Sequence, residues 1–355
     1  MFKKSISILL AVLFCMTFTA CNKKKNIESK PESELISESK TQSQVNSESS
    51  SQSSSELNLD SEIIVSGDSA IGFCQLGSES GWRDSQSESI KNEAVKRDME
   101  LVFTDAKQSH DRQVAYVRAL IKKGVKIIAL VPVSEDGWED VLKEAKNAGI
   151  SVIIIDKKIN LADDSLYETL ISPDFYAEGK KAAAELADSM DNEGNVIVIE
   201  GSTDNMTKER QKGFKEEIEK NYKNIKTVDS KIGDYNRDNG KLAMQELLNK
   251  HEDIDGIFAH NDDMALGAIE AIKEKNKKPA EDIKIVSVDA TRAAFEAMTA
   301  GELNATIEYN PLIGSEFLDV CQRILDSKTV EKWVIQDETV FKMDTASKDM
   351  ENRKY

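Results

Sequence analysis

Short β-rich runs alternate with amphipathic helical periodicity along most of this chain, and that alternation confines it to parallel sheets wound with helices. Runs of strand length lie at 99–104, 126–131 and 151–155. Between them Trp138, Val141, Leu142 and Ala145 recur at the i, i+3, i+4 and i+7 spacing of a helix with one buried face. After Asp156 the pattern starts again. Strands are expected at 196–199, 226–229, 256–259 and 283–288, with helices carrying Phe214, Ile218 and Tyr222, then Leu242, Leu247 and Leu248, then 264–272. Gly149, Gly194 and Pro279 stand between elements, where breakers belong. About 290 residues follow position 62, more than one core usually spans, so two doubly wound α/β lobes are expected.

The first strand, at 70–76, runs into Gly77-Ser78-Glu79-Ser80-Gly81-Trp82-Arg83, and a helix follows. In an open α/β sheet ligands sit outside the carboxyl ends of the strands, where this loop lies. A glycine turn, a serine cap and a buried tryptophan would also account for the loop. Weight for a ligand comes from the later strands, which end in Asp156-Lys157, Arg210, Asn261-Asp262, Asp289, and Glu308 with Asn310. A carboxylate accepts from two neighbouring hydroxyls, a guanidinium donates to two, and an aromatic face covers the C–H side of a sugar ring. Each residue has a plain structural alternative: Asp156 and Asp289 as turn caps, Asn261 as an N-cap, Arg210 as a solvated helix residue. Capping alone does not explain six such strand ends. Arg210 is expected in the first turn of its helix, where the helix dipole disfavours a cation.

Residues 1–20 carry Lys3 and Lys4, an apolar run at 6–18 and Ala20, the pattern of a secretory signal and too short to span a bilayer. Phe18-Thr19-Ala20-Cys21 resembles a bacterial lipoprotein signal, which implies a lipid-bearing Cys21 that anchors an extracytoplasmic protein to the cell membrane. Residues 21–62 are Ser, Glu, Lys and Gln with few aliphatic residues, a flexible tether with a reach on the order of 35 Å. The formal net charge is −17 at pH 7, nearly all of it on the body of the chain, so nucleic acid is not expected as a partner. Cys74 and Cys321 sit among apolar residues as expected buried thiols, and the sequence leaves open whether they pair. No zinc spacing and no activated nucleophile is evident, so neither a cofactor nor an enzymatic activity is expected.

Gly-Ser-Glu-Ser-Gly-Trp-Arg (77–83), Pro-Val-Ser-Glu-Asp-Gly-Trp (132–138), Ile-Ile-Ile-Asp-Lys (153–157), Arg-Gln-Lys-Gly-Phe (210–214), Ala-His-Asn-Asp-Asp-Met-Ala-Leu-Gly-Ala (259–268) and Ser-Val-Asp (287–289) carry a resemblance. Over roughly 67–345 the chain resembles the sugar-binding proteins of bacterial ATP-binding-cassette importers, and among them looks most like the galactofuranose binders. The resemblance implies a type I periplasmic-binding-protein fold. Its lobes would be 63–160 plus 310–336 and 161–309 plus 337–355, joined by three hinge crossings near 158–162, 308–311 and 336–338. It places ligand contacts on Glu79, Ser80, Gly81, Trp82, Arg83, Asp156, Lys157, Arg210, Asn261 and Asp289. It further implies a monosaccharide ligand of the galactofuranose type, a membrane permease as partner, a monomer, and closure of the lobes on the ligand. Lys157 departs from the arginine usual in the family, a point charge in place of a two-pronged donor, and the family's paired cysteines are missing. Two rivals stand beside this reading: a sugar sensor for a membrane receptor or kinase, and a glycoside-processing enzyme using Glu79, Asp156 and Asp289.

Overall fold

The computed structural model describes residues 70–355. The expected signal, Cys21 and the tether lie outside the described residues. Twelve strands form two six-stranded sheets. They are β1 (Ile71–Gln75), β2 (Leu101–Asp105), β3 (Ile127–Leu130), β4 (Ser151–Ile155), β5 (Thr169–Ser172), β6 (Glu193–Glu200), β7 (Asn224–Ile232), β8 (Gly256–Ala259), β9 (Lys284–Asp289), β10 (Ala305–Glu308), β11 (Trp333–Ile335) and β12 (Val340–Lys342). The helices are α1 (Gly81–Lys96), α2 (His110–Lys123), α3 (Glu139–Asn147), α4 (Phe175–Ser189), α5 (Asn205–Asn221), α6 (Arg237–Lys250), α7 (Asp262–Glu274), α8 (Arg292–Thr299), α9 (Gly314–Leu325) and α10 (Ala346–Asp349).

The first sheet runs β11-β5-β4-β3-β1-β2 and the second β12-β10-β9-β8-β6-β7. All pairings are parallel except that of β12 with β10, which closes one edge of the second sheet antiparallel. In each sheet the strand order reverses between the first strand of the lobe and the third. The crevice at that reversal, beyond the carboxyl ends, is where an open α/β sheet receives a ligand. Strands β1, β3 and β8 are buried at every residue, because helices cover both faces. Each lobe therefore has a core on either side of its sheet: Leu120, Trp138 and Leu142 against Phe73, Ile90 and Phe317 in the first, Met264 and Phe295 against Phe214 and Phe258 in the second.

The chain passes between sheets three times: from β5 to α4 at 173–174, from β10 to α9 at 309–313, and from β11 to β12 at 336–339. The first passage differs from the expectation near 158–162, because β5 pairs in parallel with β4 and so carries 161–172 into the first lobe. β5 is only four residues long and follows the mainly polar stretch 157–168, which leaves its start unmarked. Arg210 also differs from expectation. It is the sixth residue of α5, in the second turn, so the helix dipole does not account for its placement. Cys74 and Cys321 are free and buried, and do not pair.

One close approach governs the site. A Cβ on Gly179 of α4 would lie 2.0 Å from the Arg210 carbonyl, and one on Gly213 of α5 would lie 2.0 Å from the Tyr176 carbonyl. Glycine at both positions lets α4 and α5 touch backbone to backbone.

Candidate functional site

In the first lobe Ser80 caps α1 by accepting from the Arg83 N–H, and Gly81 begins the helix with open space where a side chain would point. That cap directs Arg83 inward, 7% exposed, where its guanidinium pairs with Asp156 and its Nε donates to Glu79 Oε1 at 3.0 Å. Gln86 accepts from Arg83 Nη1 at 2.6 Å and donates to Asp156 Oδ1 at 2.9 Å. Asp156 follows β4 with φ of 67°, a left-handed turn that aims its carboxylate back over the strand ends. Burial would push the Arg83 guanidinium down, but Asp156 and then Glu79 outweigh it and hold it above its usual range.

The second lobe presents a matching pair. Arg210 is 1% exposed and its Nε donates to Glu178 Oε2 at 2.5 Å, while Nη1 donates to the His260 carbonyl at 2.8 Å. Its remaining nitrogen, Nη2, is buried without a hydrogen-bond partner among the described residues. Asp289 ends β9 with φ of 123°. Burial, with Asp262 beside it, pushes its carboxyl well above the usual carboxylate range despite the nearby Arg210. Asn261 caps α7, accepting from the Met264 N–H and donating to the Tyr235 carbonyl.

Between the lobes stand three aromatic rings. Trp82 lies 4.4 Å from Tyr309, centroid to centroid, and its Nε1 donates to the Tyr309 carbonyl at 2.6 Å. Phe175 meets Tyr309 edge-on at 5.9 Å, and the Arg210 guanidinium lies 5.4 Å from Phe175 and 5.8 Å from Tyr309. The Tyr309 hydroxyl is buried without a normal hydrogen bond; burial first and Asp156 second push it well above its usual range. Tyr309 thus touches the surroundings of Arg83 and Asp156 on one side and of Arg210 on the other. Nearer the surface, Lys157 Nζ reaches across to Asp204 at 3.2 Å, and Glu135 accepts from the Asn205 N–H at 2.5 Å. Burial raises the Asp204 carboxyl, but Lys157 and the Thr207 N–H and hydroxyl more than offset this and hold it below the usual range.

The structure therefore gathers Glu79, Arg83 and Asp156 into one network and sets Arg210 beside Asp289 in another, with Trp82 between them. Ser80 and Asn261 work as caps, and Lys157 as an ion-pair partner of Asp204. Sequence reasoning missed Tyr309, although it named both neighbours, and missed Glu178, Phe175 and Gln86. A glutamate four residues after the capping Asp174 was the available signal for Glu178. Two surface grooves, of about 600 Å³ beside Ser202 and Lys215 and about 740 Å³ beside Asp191 and Lys226, lie away from these residues. No group of side chains suited to a metal ion occurs among the described residues.

Comparison with known proteins agrees with this fold. The family model for the periplasmic binding protein domain matches residues 71–329. The galactofuranose-binding protein of Escherichia coli K12 is 37% identical over 300 residues, 83% of this chain and 94% of that one. The binding component of the arabinose ATP-binding-cassette transporter of Shewanella sp. ANA-3, solved with α- and β-L-arabinofuranose, superposes with a TM-score of 0.76 at 40% identity, covering 80% of this chain and 95% of that one. A Mycobacterium smegmatis protein solved with β-D-fucofuranose superposes with a TM-score of 0.75 at 40% identity, covering 80% and 94%. Two doubly wound lobes, polar networks at the facing strand ends and a match across both lobes have one reading: the chain belongs to the periplasmic binding protein family.

Proposed function

We propose that this protein captures a monosaccharide between its lobes and presents it to an ATP-binding-cassette importer, without chemically changing it. The observation that carries this reading is the buried Arg210 Nη2, without a hydrogen-bond partner among the described residues, set between facing charged networks with the Tyr309 hydroxyl approaching Asp156. Burying such a nitrogen unpaired costs about 1–3 kcal/mol, and a sugar hydroxyl is suited to pairing with it. Arg83, Asp156, Arg210 and Asp289 would grip the ring hydroxyls, with Glu79, Ser80, Gly81 and Asn261 shaping the loops around them. Trp82, Phe175 and Tyr309 would cover its C–H faces. Lys157 would close the lobes rather than touch the sugar. The relatives named above hold galactofuranose, arabinofuranose and fucofuranose, so a five-membered ring is the favoured form, galactofuranose or a related sugar. Delivery as a monomer from a lipid anchor on Cys21 completes the reading. Cys21→Ser should then release the protein from the detergent phase in which the native form collects. Equal partitioning would remove the anchor.

Calorimetric titration with D-galactose, L-arabinose, D-fucose, D-ribose and D-glucose, with small-angle scattering of free and loaded protein, tests the core of the proposal. A sugar that equilibrates with a furanose form should bind, with an apparent affinity reduced by its furanose fraction, and should compact the protein. Binding only of an oligosaccharide, or release of sugar from one, would overturn it.

A further inference from the structure

We infer that a single proton is held between the buried carboxyls of Glu338 and Glu178, and that this shared proton positions Arg210 for the sugar. The inference rests on Arg210 being a sugar contact, as proposed above. Glu338 lies on the 336–339 passage between the sheets, and Glu178 in the first turn of α4, just after the 173–174 passage. Each glutamate has one oxygen occupied by a cation. Glu178 Oε2 accepts from Arg210 at 2.5 Å, and Glu338 Oε2 accepts from Lys181 at 2.6 Å. The other two oxygens, Glu178 Oε1 and Glu338 Oε1, are both buried and both without a donor among the described residues.

Glu178 and Lys181 are three residues apart on α4, neighbours on one helix face, so the Lys181 contact to Glu338 brings the two carboxyls side by side, with Glu338 4% and Glu178 0% exposed at the side chain. Two carboxylate oxygens cannot bond without a hydrogen between them. A proton taken from solvent onto Glu338 Oε1 satisfies both: Glu338 donates, Glu178 accepts, and no other bond changes. Burial first and Glu178 second push the Glu338 carboxyl up, while Lys181 pulls it down. The charged and titratable groups facing the pair are Lys181 from α4, Arg210 from α5, Asp289 at the end of β9 and Tyr309 after β10. The bridge ties one hinge passage to α4 and, through Glu178, fixes the guanidinium whose Nη2 is left without a partner. Loss of the proton sets two negative charges together and frees Glu178 to shift, taking Arg210 with it.

The test uses Glu338→Gln, whose amide N–H can donate to Glu178 where the O–H did, and Glu338→Ala, which cannot. Apo thermal stability is followed from pH 5 to 9, and L-arabinose and D-galactose affinities at pH 6 and 9. The folded wild type holds a proton that the unfolded chain has lost. Its stability should therefore fall as pH rises from the unfolded carboxyl value through the raised folded one. Glu338→Gln should remove that part of the slope. Sugar affinity of the wild type should fall several-fold between pH 6 and 9, that of Glu338→Gln should hold at the pH 6 level, and that of Glu338→Ala should be several-fold weaker at both. Identical stability slopes in wild type and Glu338→Gln would overturn the shared proton. Unchanged affinity in Glu338→Ala would overturn its positioning role. Failure of the wild type to bind any sugar would overturn the functional reading and the positioning role with it, while the stability slopes still decide the proton.

Discussion

Lys157 and Asp204 join the lobes at the mouth of the cleft, and a double-mutant cycle on them separates a closing contact from a sugar contact. At 3.2 Å and an effective dielectric near 20, the Coulomb attraction is about 5 kcal/mol, an upper bound before desolvation. The side chains are 20% and 12% exposed, so part of that attraction is offset by water removed from both groups. A coupling of about 1–2 kcal/mol is expected, which is roughly a 5- to 30-fold change in sugar affinity. Lys157→Met and Asp204→Asn are the single variants. Asparagine keeps an acceptor for the Thr207 N–H, so the α5 cap survives. Calorimetry with the sugar that binds the wild type should show each single variant weakened and the double variant no weaker than either. Added salt should narrow the gap, since both groups keep some contact with water. Losses that simply add would mean that Lys157 and Asp204 act independently. A Lys157→Met loss that persists in full on the Asp204→Asn background would make Lys157 a direct sugar contact and refute the closing role.

Further outcomes follow from the second lobe. Arg210→Ala should lower sugar affinity by about 1.5–3 kcal/mol, the range for hydrogen bonds to charged groups. It should also lower apo stability by about 3–5 kcal/mol, because Glu178 is left buried without its partner; affinity and melting temperature measured together check both. Gly213→Ala sets a methyl group 2.0 Å from the Tyr176 carbonyl, so α4 and α5 must separate. A stability loss of at least about 1–3 kcal/mol is expected by denaturant titration, with weaker sugar binding because Arg210 and Glu178 sit on the two separated helices. Wild-type stability in that variant would show that the helices can yield without cost.

Much of the architecture was legible because strand and helix alternate at lengths that periodicity can resolve, and parallel winding puts every strand's carboxyl end on one side. That is why Arg83, Asp156, Arg210 and Asp289, scattered over two hundred positions, could be grouped from sequence. What periodicity could not give was the passages. Strands β5, β11 and β12 have three or four residues each and stand among polar stretches outside the regular strand–helix alternation, and Glu178 and Glu338 follow β5 and β11. Nor can a strand-end position say whether its side chain is already answered from within the protein. Glu308 ends β10 as Asp289 ends β9, yet Glu308 accepts from Arg353 at 2.8 Å. Asp262 follows β8 directly after Asn261, yet Ser287, Thr291 and Thr306 all donate to it. Both are polar groups at the right end of the sheet with their hydrogen bonds met by the fold. Arg210 Nη2 has none, and Tyr309 Oη has only its approach to Asp156. That difference depends on which distant segments the two passages after β5 and β10 bring against them, so it is a property of the folded chain and of no local stretch of it. Arg210 is thus set apart from Glu308 and Asp262 less by its type or place than by the bond left unmade, which is why the affinity of Arg210→Ala bears on binding where substitution of Glu308 or Asp262 would report on folding alone.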